Sequence, residues 1–181
     1  MIHTPLPMLG FCAWSGTGKT TLLGQLIPLL RAQGLRIGVI KHAHHGFDLD
    51  RPGKDSWTLR KAGSVQTIVA SRRRVACILE RGEDADEPSL EELIGIVDPQ
   101  RLDLLLVEGF KQAVFPKIEL HRPSMGRPLL CGRMPQIIAV ASDTPINLPR
   151  PLPLLDLNDH RALCRFVTDY CNDEALRQVA R

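Results

Sequence analysis

The cysteines form no ligand or disulfide pattern. There are five, Cys12, Cys77, Cys131, Cys164 and Cys171, an odd and scattered set with no Cys-x-x-Cys pair. A disulfide framework and a structural zinc site both need paired spacing, so neither is expected, and a reducing cytoplasm is the natural compartment. No apolar run approaches the roughly 20 residues that cross a bilayer, and no basic stretch precedes an apolar one near the start of the chain. A soluble protein without membrane contact is expected. The net charge of +3 is far from the basic stripe of a nucleic-acid binder. The one dense basic cluster, Arg72-Arg73-Arg74, falls in a predicted turn and reads as a solvated hairpin tip, so no nucleic-acid partner is expected. The chain also lacks an internal repeat, a Ser/His/Asp hydrolase signature and a nucleophile elbow.

What is present is ordinary in bulk and specific in one stretch. Hydrophobic residues at 44% and charged residues at 24% suit a globule, and a chain of this length is expected to form a single domain over residues 1–181. The specific stretch is Trp14-Ser15-Gly16-Thr17-Gly18-Lys19-Thr20-Thr21. An apolar run, Met8 to Ala13, leads into it and an amphipathic segment, Thr20 to Gln33, follows. Strand, Gly-rich turn and helix in that order form the setting in which Gly-Lys-Thr cradles a nucleotide phosphate chain. Backbone N–H groups of the turn point inward and the new helix adds its positive end. The Lys19 ammonium is expected on the β and γ phosphates, and the Thr20 hydroxyl on Mg²⁺. Ala13 stands where the strict pattern has its first glycine.

Further along, Arg36 to Lys41 completes a β-α-β unit, which implies a parallel sheet with helices packed on its faces. Pro28 is expected to kink the first helix and Gly34 to close it. The loop His42 to Asp55 precedes a short helix, Ser56 to Ala62. Two alternating runs, Val65 to Ala70 and Val75 to Glu80, form a hairpin whose apolar face needs cover from the main sheet or from another subunit. Ser89-x-x-Glu92 is a capping box. Leu102 to Val107, Pro116 to His121 and Gln136 to Ala141 are strands, Ser124 to Pro135 reads as a mobile loop, and Leu152 to Asp156 is a short strand. Asn158 is expected to cap the last helix.

Ligands gather at the carboxyl ends of parallel strands, and four features fall there: Gly16–Thr20, the loop after Lys41, Glu108, and Ser142-Asp143. Glu108 ends a hydrophobic strand and is a candidate to hold Mg²⁺ or orient an attacking water; Asp103 begins the same strand and belongs to the opposite end. Asp48 and Asp50, with Asp55, are further candidate metal or water ligands. His42, His44 and His45 admit a transition-metal reading, a phosphate contact, or simple exposure. Ser142-Asp143 is similar to a guanine-reading turn, in which a carboxylate accepts from N1–H and N2–H₂; without Asn-Lys-x-Asp, an Asp at a turn before Pro145 is the other reading.

Taken together, Ala13 to Thr21, Lys41-His42-x-His44-His45, Asp48-x-Asp50-x-Pro52-Gly53-Lys54-Asp55-Ser56, Arg60-Lys61-Ala62-Gly63, Gln66-Thr67-x-Val69-Ala70, Leu106 to Lys111 and Ala139 to Asp143 resemble the MobB family of molybdopterin guanine dinucleotide biosynthesis. Ala13 is part of the likeness. The resemblance implies an α/β P-loop NTPase-like fold with a mostly parallel sheet, helices on both faces and a protruding hairpin. It implies a homodimer with the hairpin, residues 65–80, at the interface. It also implies GTP and Mg²⁺ as ligands, weak GTPase activity, and an adapter role beside MobA, which attaches GMP from GTP to molybdopterin. Molybdopterin and molybdoenzyme apoproteins are further implied partners. The site residues are then Ser15, Gly16, Thr17, Gly18, Lys19, Thr20, Thr21, Ser142 and Asp143 for the nucleotide, Thr20, Glu108, Asp48 and Asp50 for the metal, and Glu108 for any catalysis. The likeness extends to dethiobiotin synthetase-like proteins, so a small-molecule phosphotransferase or ligase is one alternative, and a metallochaperone GTPase another.

Overall fold

Apolar runs without alternation make strands that are buried on both faces, and four such strands form the middle of one sheet. They are β1 (Met8–Cys12), β5 (Leu104–Glu108), β6 (Lys117–His121) and β7 (Ile137–Ser142). The computed structural model describes residues 2, 4–43, 46–82 and 84–179. The more exposed strands β2 (Ile37–Lys41) and β8 (Leu154–Asp156) lie at the edges, giving the order β2-β5-β1-β6-β7-β8, parallel throughout. The chain leaves β1 toward β2 on one side and finds β6 on the other, so the topological switch falls at the carboxyl end of β1.

Each face of the sheet has its own cover. Helices α1 (Lys19–Ala32) and α4 (His160–Val179) pack through Leu22, Leu26, Leu30, Leu163 and Val167 on the face carrying Leu9, Phe11, Leu106 and Ile118. The opposite face, with Met8, Leu105 and Val107, is covered by helix α3 (Leu90–Ile94), which starts with the expected reciprocal capping box of Ser89 and Glu92. α1 continues through Pro28. Proline costs about 3 kcal/mol inside a helix, whereas each fully buried leucine returns about 2 kcal/mol, and α1 buries four. Gly34, at φ 87°, closes it as expected.

Two sequence expectations change. The cap of α4 is Asp159, whose carboxylate accepts from the Ala162 N–H at 2.9 Å, while the Asn158 N–H donates to Asp156. The stretch Ser124 to Pro135 is a packed cover: Leu129, Leu130 and Met134 join Cys12, Ile137 and Val140 in a third apolar cluster. Its anchor is Glu119, fully buried on β6, which accepts the Leu130 and Cys131 N–H groups at 2.7 and 2.8 Å. A buried carboxylate needs such donors, and the loop backbone supplies them.

The chain falls into two compact units, Met1–His42 with Ser89–Arg181, and Ala43–Pro88. The second contains helix α2 (Asp55–Lys61) and the antiparallel pair β3 (Gln66–Ala70) and β4 (Val75–Leu79). Arg60 is its electrostatic centre, 2.9 Å from Asp48, 3.7 Å from Asp50 and 2.5 Å from Glu80. Among the described residues no helix is long and apolar enough to cross a membrane.

Lys117 is an uncommon core residue. It is fully buried beside Gly10, where a Cβ would lie 2.9 Å from its Cγ, and its ammonium donates to the Ala113 carbonyl and lies 3.8 Å from the Phe115 ring centroid. Burial pushes its pKa down to about 8, with a small opposing effect from Cys12. The unfolded chain then binds more protons than the native one between that value and the ordinary lysine range, so the cost of Lys117 is greatest below pH 8 and fades as pH rises toward 10.5. Lys117→Met is expected to raise stability at pH 7 by about 1–2 kcal/mol and to remove that alkaline rise. Urea denaturation across this range checks both; a variant less stable than wild type at every pH contradicts the prediction.

Candidate functional site

The turn after β1 is held open by its own geometry. Gly16 and Gly18 have φ of 80° and 101°, conformations that side chains rarely adopt, so glycine is required at both. Thr17 is buried, and its hydroxyl donates to the Trp14 carbonyl at 2.8 Å, cinching the loop from within. α1 then begins at Lys19, with Gly18 as its N-cap. Burial pushes the Lys19 pKa down; Glu108 opposes this, while Lys111 and Lys41 add to it. A half-buried cation among other cations at a helix start is poised for an anion.

β5 lies beside β1 with Phe11 opposite Glu108, which brings the strand-end carboxylate to the start of α1. The Thr20 hydroxyl donates to Glu108 Oε1 at 2.8 Å, and Lys41 stands 3.9 Å from Oε2. The structure thus brings Thr20 and Glu108 together. Glycine at 109 has a steric reason: φ is 102°, and a Cβ there would lie 2.6 Å from the Cβ of His42, whose N–H donates to the Glu108 carbonyl at 2.9 Å. Phe110 follows at φ 46° with its ring 4.8 Å from that of His42. Two successive left-handed residues mark a strained exit from β5, a feature that clusters at functional sites. Asp103, at the other end of β5, is paired with Arg36 at 2.7 Å.

An open cleft of about 370 Å³ runs from Gly16, Gly18 and Thr21 to Arg122, Asn158 and His160. Arg122 is its keystone. Its Nε donates to the Thr17 carbonyl at 3.0 Å and its Nη1 to Asp143 Oδ2 at 2.6 Å. Asp143 and Ser142 line an adjacent hollow of about 250 Å³. Ser15 and Gly16 are exposed at the crest of the loop, and Thr21 faces the cleft. Asp48 and Asp50 lie in the second unit, engaged by Arg60, which holds the Asp48 pKa below the usual carboxylate range. His44 and His45 lie outside the described residues. Among the described residues no group of three or more His, Cys, Asp or Glu is spaced to hold a metal. Magnesium at a phosphate site does not need one, because it keeps waters and phosphate oxygens and takes one or two protein ligands.

A family model described as MobB, molybdopterin guanine dinucleotide synthesis protein B, matches residues 8–143. The chain belongs to the MobB family. It is 52% identical over 170 residues to the molybdopterin-guanine dinucleotide biosynthesis adapter protein of Escherichia coli (strain K12), covering 92% of this chain and 94% of that relative. The corresponding protein of Haemophilus influenzae (strain ATCC 51907 / DSM 11121 / KW20 / Rd) is 42% identical over 173 residues, with 93% and 92% covered. Among solved structures, Bacillus subtilis MobB superposes with a TM-score of 0.72 at 25% identity, covering 91% of this chain and 98% of that one. The fold is that of MobB, a P-loop NTPase fold with a parallel six-stranded sheet and a separate hairpin.

Several residues around the cleft of this MobB-family chain carry little local sequence signal. Arg122 follows β6 in an unremarkable Arg-Pro step, and its partners lie 105 and 21 residues away. Asn158 and His160 reach the cleft because β8 pairs with β7 and delivers the start of α4 there. Trp14, inside the loop motif at a position open to any residue, anchors its indole N–H on the Pro128 carbonyl at 2.9 Å. Only the basic character of Arg122, just past a strand end, offered a signal.

Proposed function

We propose that this MobB-family protein is a cytoplasmic GTP-binding adapter in molybdopterin guanine dinucleotide biosynthesis, acting beside a MobA-type enzyme that transfers GMP from GTP to molybdopterin. The observation that carries the reading is the 2.8 Å bond from Thr20 to Glu108 beneath a loop whose glycines adopt left-handed conformations. A hydroxyl and a carboxylate oxygen form a hard-donor pair, the chemistry that suits Mg²⁺. The proposed metal shell is confined to Thr20 and Glu108, with phosphate oxygens and water completing it. GTP phosphates lie along Ser15 to Thr21 with Lys19 on the β and γ groups, and the base lies toward Arg122, Asn158 and Asp143. Arg122 occupies one oxygen of Asp143 and orients the carboxylate, so the other oxygen reads the guanine N1–H and N2–H₂. The names of the E. coli and H. influenzae relatives support the adapter role and the pathway.

Hydrolysis is proposed to be slow. Arg122, on the loop side of the cleft, is committed to Thr17 and Asp143 and is not free to act as the arginine that neutralises charge developing at a γ-phosphate. Glu108 is the residue proposed to position water through the metal. With Lys19→Ala, GTP affinity is expected to fall by about a hundredfold or more, since a charge-assisted contact to two phosphates is lost. The circular dichroism and melting temperature should match wild type. Unchanged affinity in that variant contradicts the reading.

The hairpin supports the proposed homodimer. Register places Gln66, Ile68, Ala70, Val75, Cys77 and Leu79 on one face, and Ile68, Val75 and Leu79 are 63%, 69% and 50% exposed. An isolated two-stranded sheet with a bare apolar face is marginal, and a second copy presenting the same face is a self-complementary cover. Ile68→Asp is expected to convert a sedimenting dimer into a monomer at micromolar concentration. A wild-type protein that sediments as a monomer at the same concentration argues against the dimer.

A further inference from the structure

The phosphate loop has two sides, and the cleft uses one of them. Leu22 and Leu157, beside the cleft, belong to the core under α1 and α4. On the other side Trp14 is tied through its indole N–H to Pro128, next to Leu129 and Leu130, which pack on the opposite face of the sheet. Two cations converge on this fixed ring. Lys111 Nζ lies 4.7 Å from its centroid, and the exposed Arg127 guanidinium lies 5.5 Å from it. Among the described residues neither cation has a carboxylate within ion-pair distance.

This arrangement has no evident structural purpose. A cation over an exposed ring gains about 0.5–1 kcal/mol, little return for gathering two like charges beside Lys19. Both cations lie over one ring beside the phosphate loop, with no carboxylate paired to either among the described residues. A guanidinium plane is itself a stacking surface and a bidentate partner for phosphate. Trp14, Lys111 and Arg127 therefore supply a flat surface and two phosphate donors within one ring's span. Lys111 directly follows the strained exit from β5 at Gly109 and Phe110.

We propose that Trp14, Lys111 and Arg127 form a second ligand subsite, on the far side of the phosphate loop from the nucleotide cleft, for a phosphate monoester carried on a flat heteroaromatic ring. This inference rests on the nucleotide reading above. It places the second ligand, of the chemical class of a pterin phosphate, beside the phosphate end of a bound nucleotide, so that one loop contacts both.

Calorimetric titration with 6-hydroxymethylpterin phosphate tests the subsite, on protein already saturated with Mg²⁺ and GTP and, separately, on nucleotide-free protein. The expected result is one site per chain in both, weakened about tenfold or more by Arg127→Ala, which removes a charged contact. Arg127→Ala should leave GTP affinity within about twofold, because its side chain lies outside the cleft. Lys111→Ala should weaken the pterin phosphate similarly. Displacement of GTP one-for-one, affinity unchanged by Arg127→Ala, or no binding to either form each overturn the subsite. Inorganic phosphate binding as tightly as the pterin phosphate overturns the aromatic half of the assignment, and unphosphorylated 6-hydroxymethylpterin binding as tightly overturns the anionic half. Failure of the prior GTP titration counts against the nucleotide reading alone, since the nucleotide-free arm reads the subsite by itself.

Discussion

The hydrogen bond from Thr20 to Glu108 joins two parts of the chain 88 residues apart, and the site is organised around it. Thr20 lies in the first turn of α1, directly after the phosphate loop, and Glu108 ends the central strand β5. They meet because β1 and β5 are parallel neighbours with Phe11 opposite Glu108. A register shift of one residue would turn Glu108 to the other face of the sheet and break the pair. The full burial of Leu104, Leu105, Leu106 and Val107 on both faces holds that register. Hydrophobic burial at the centre of the sheet thus fixes the position of a polar pair at its end.

Charge accumulates around this pair in a directed way. Lys19, Lys41 and Lys111 surround the loop end with Glu108 as the opposing charge, and Arg122 is balanced by Asp143. The balance is positive on the side of β5 and near neutral on the side of β7. On the proposed nucleotide reading, the phosphate chain would occupy the first and the neutral base the second. Arg122 ties the two regions by holding the Thr17 carbonyl and the Asp143 carboxylate with one planar group.

Gly16 to Thr20 and Glu108 were legible in the sequence because their signals are local: a glycine spacing, and an apolar run ending in a carboxylate. The parallel sheet, the capping box at Ser89 and the stop at Gly34 were legible for the same reason. What escaped depends on partners distant in the chain. The segment from Ser124 to Pro135 has a loop composition, yet the buried Glu119 recruits its backbone as donor. The roles of Arg122 and of the Trp14 cluster follow from β6 and its following loop being brought beside β1, which no window of sequence reveals. Asp48 and Asp50 read as a ligand pair by their spacing, and the structure adds a neighbour that spacing does not show: Arg60 on α2, 2.9 Å from Asp48 and 3.7 Å from Asp50.

Central to the proposed function is a phosphate loop whose nucleotide would be selected by its base and held through Thr20 and Glu108. Parallel calorimetric titrations of the wild-type protein with GTP and with ATP, each with Mg²⁺, test this most directly. The predicted result is GTP bound at least about tenfold more tightly than ATP, a margin set by the guanine donors that adenine lacks, with affinity that falls when Mg²⁺ is chelated. Equal affinities for the two nucleotides, or GTP binding indifferent to Mg²⁺, would contradict it.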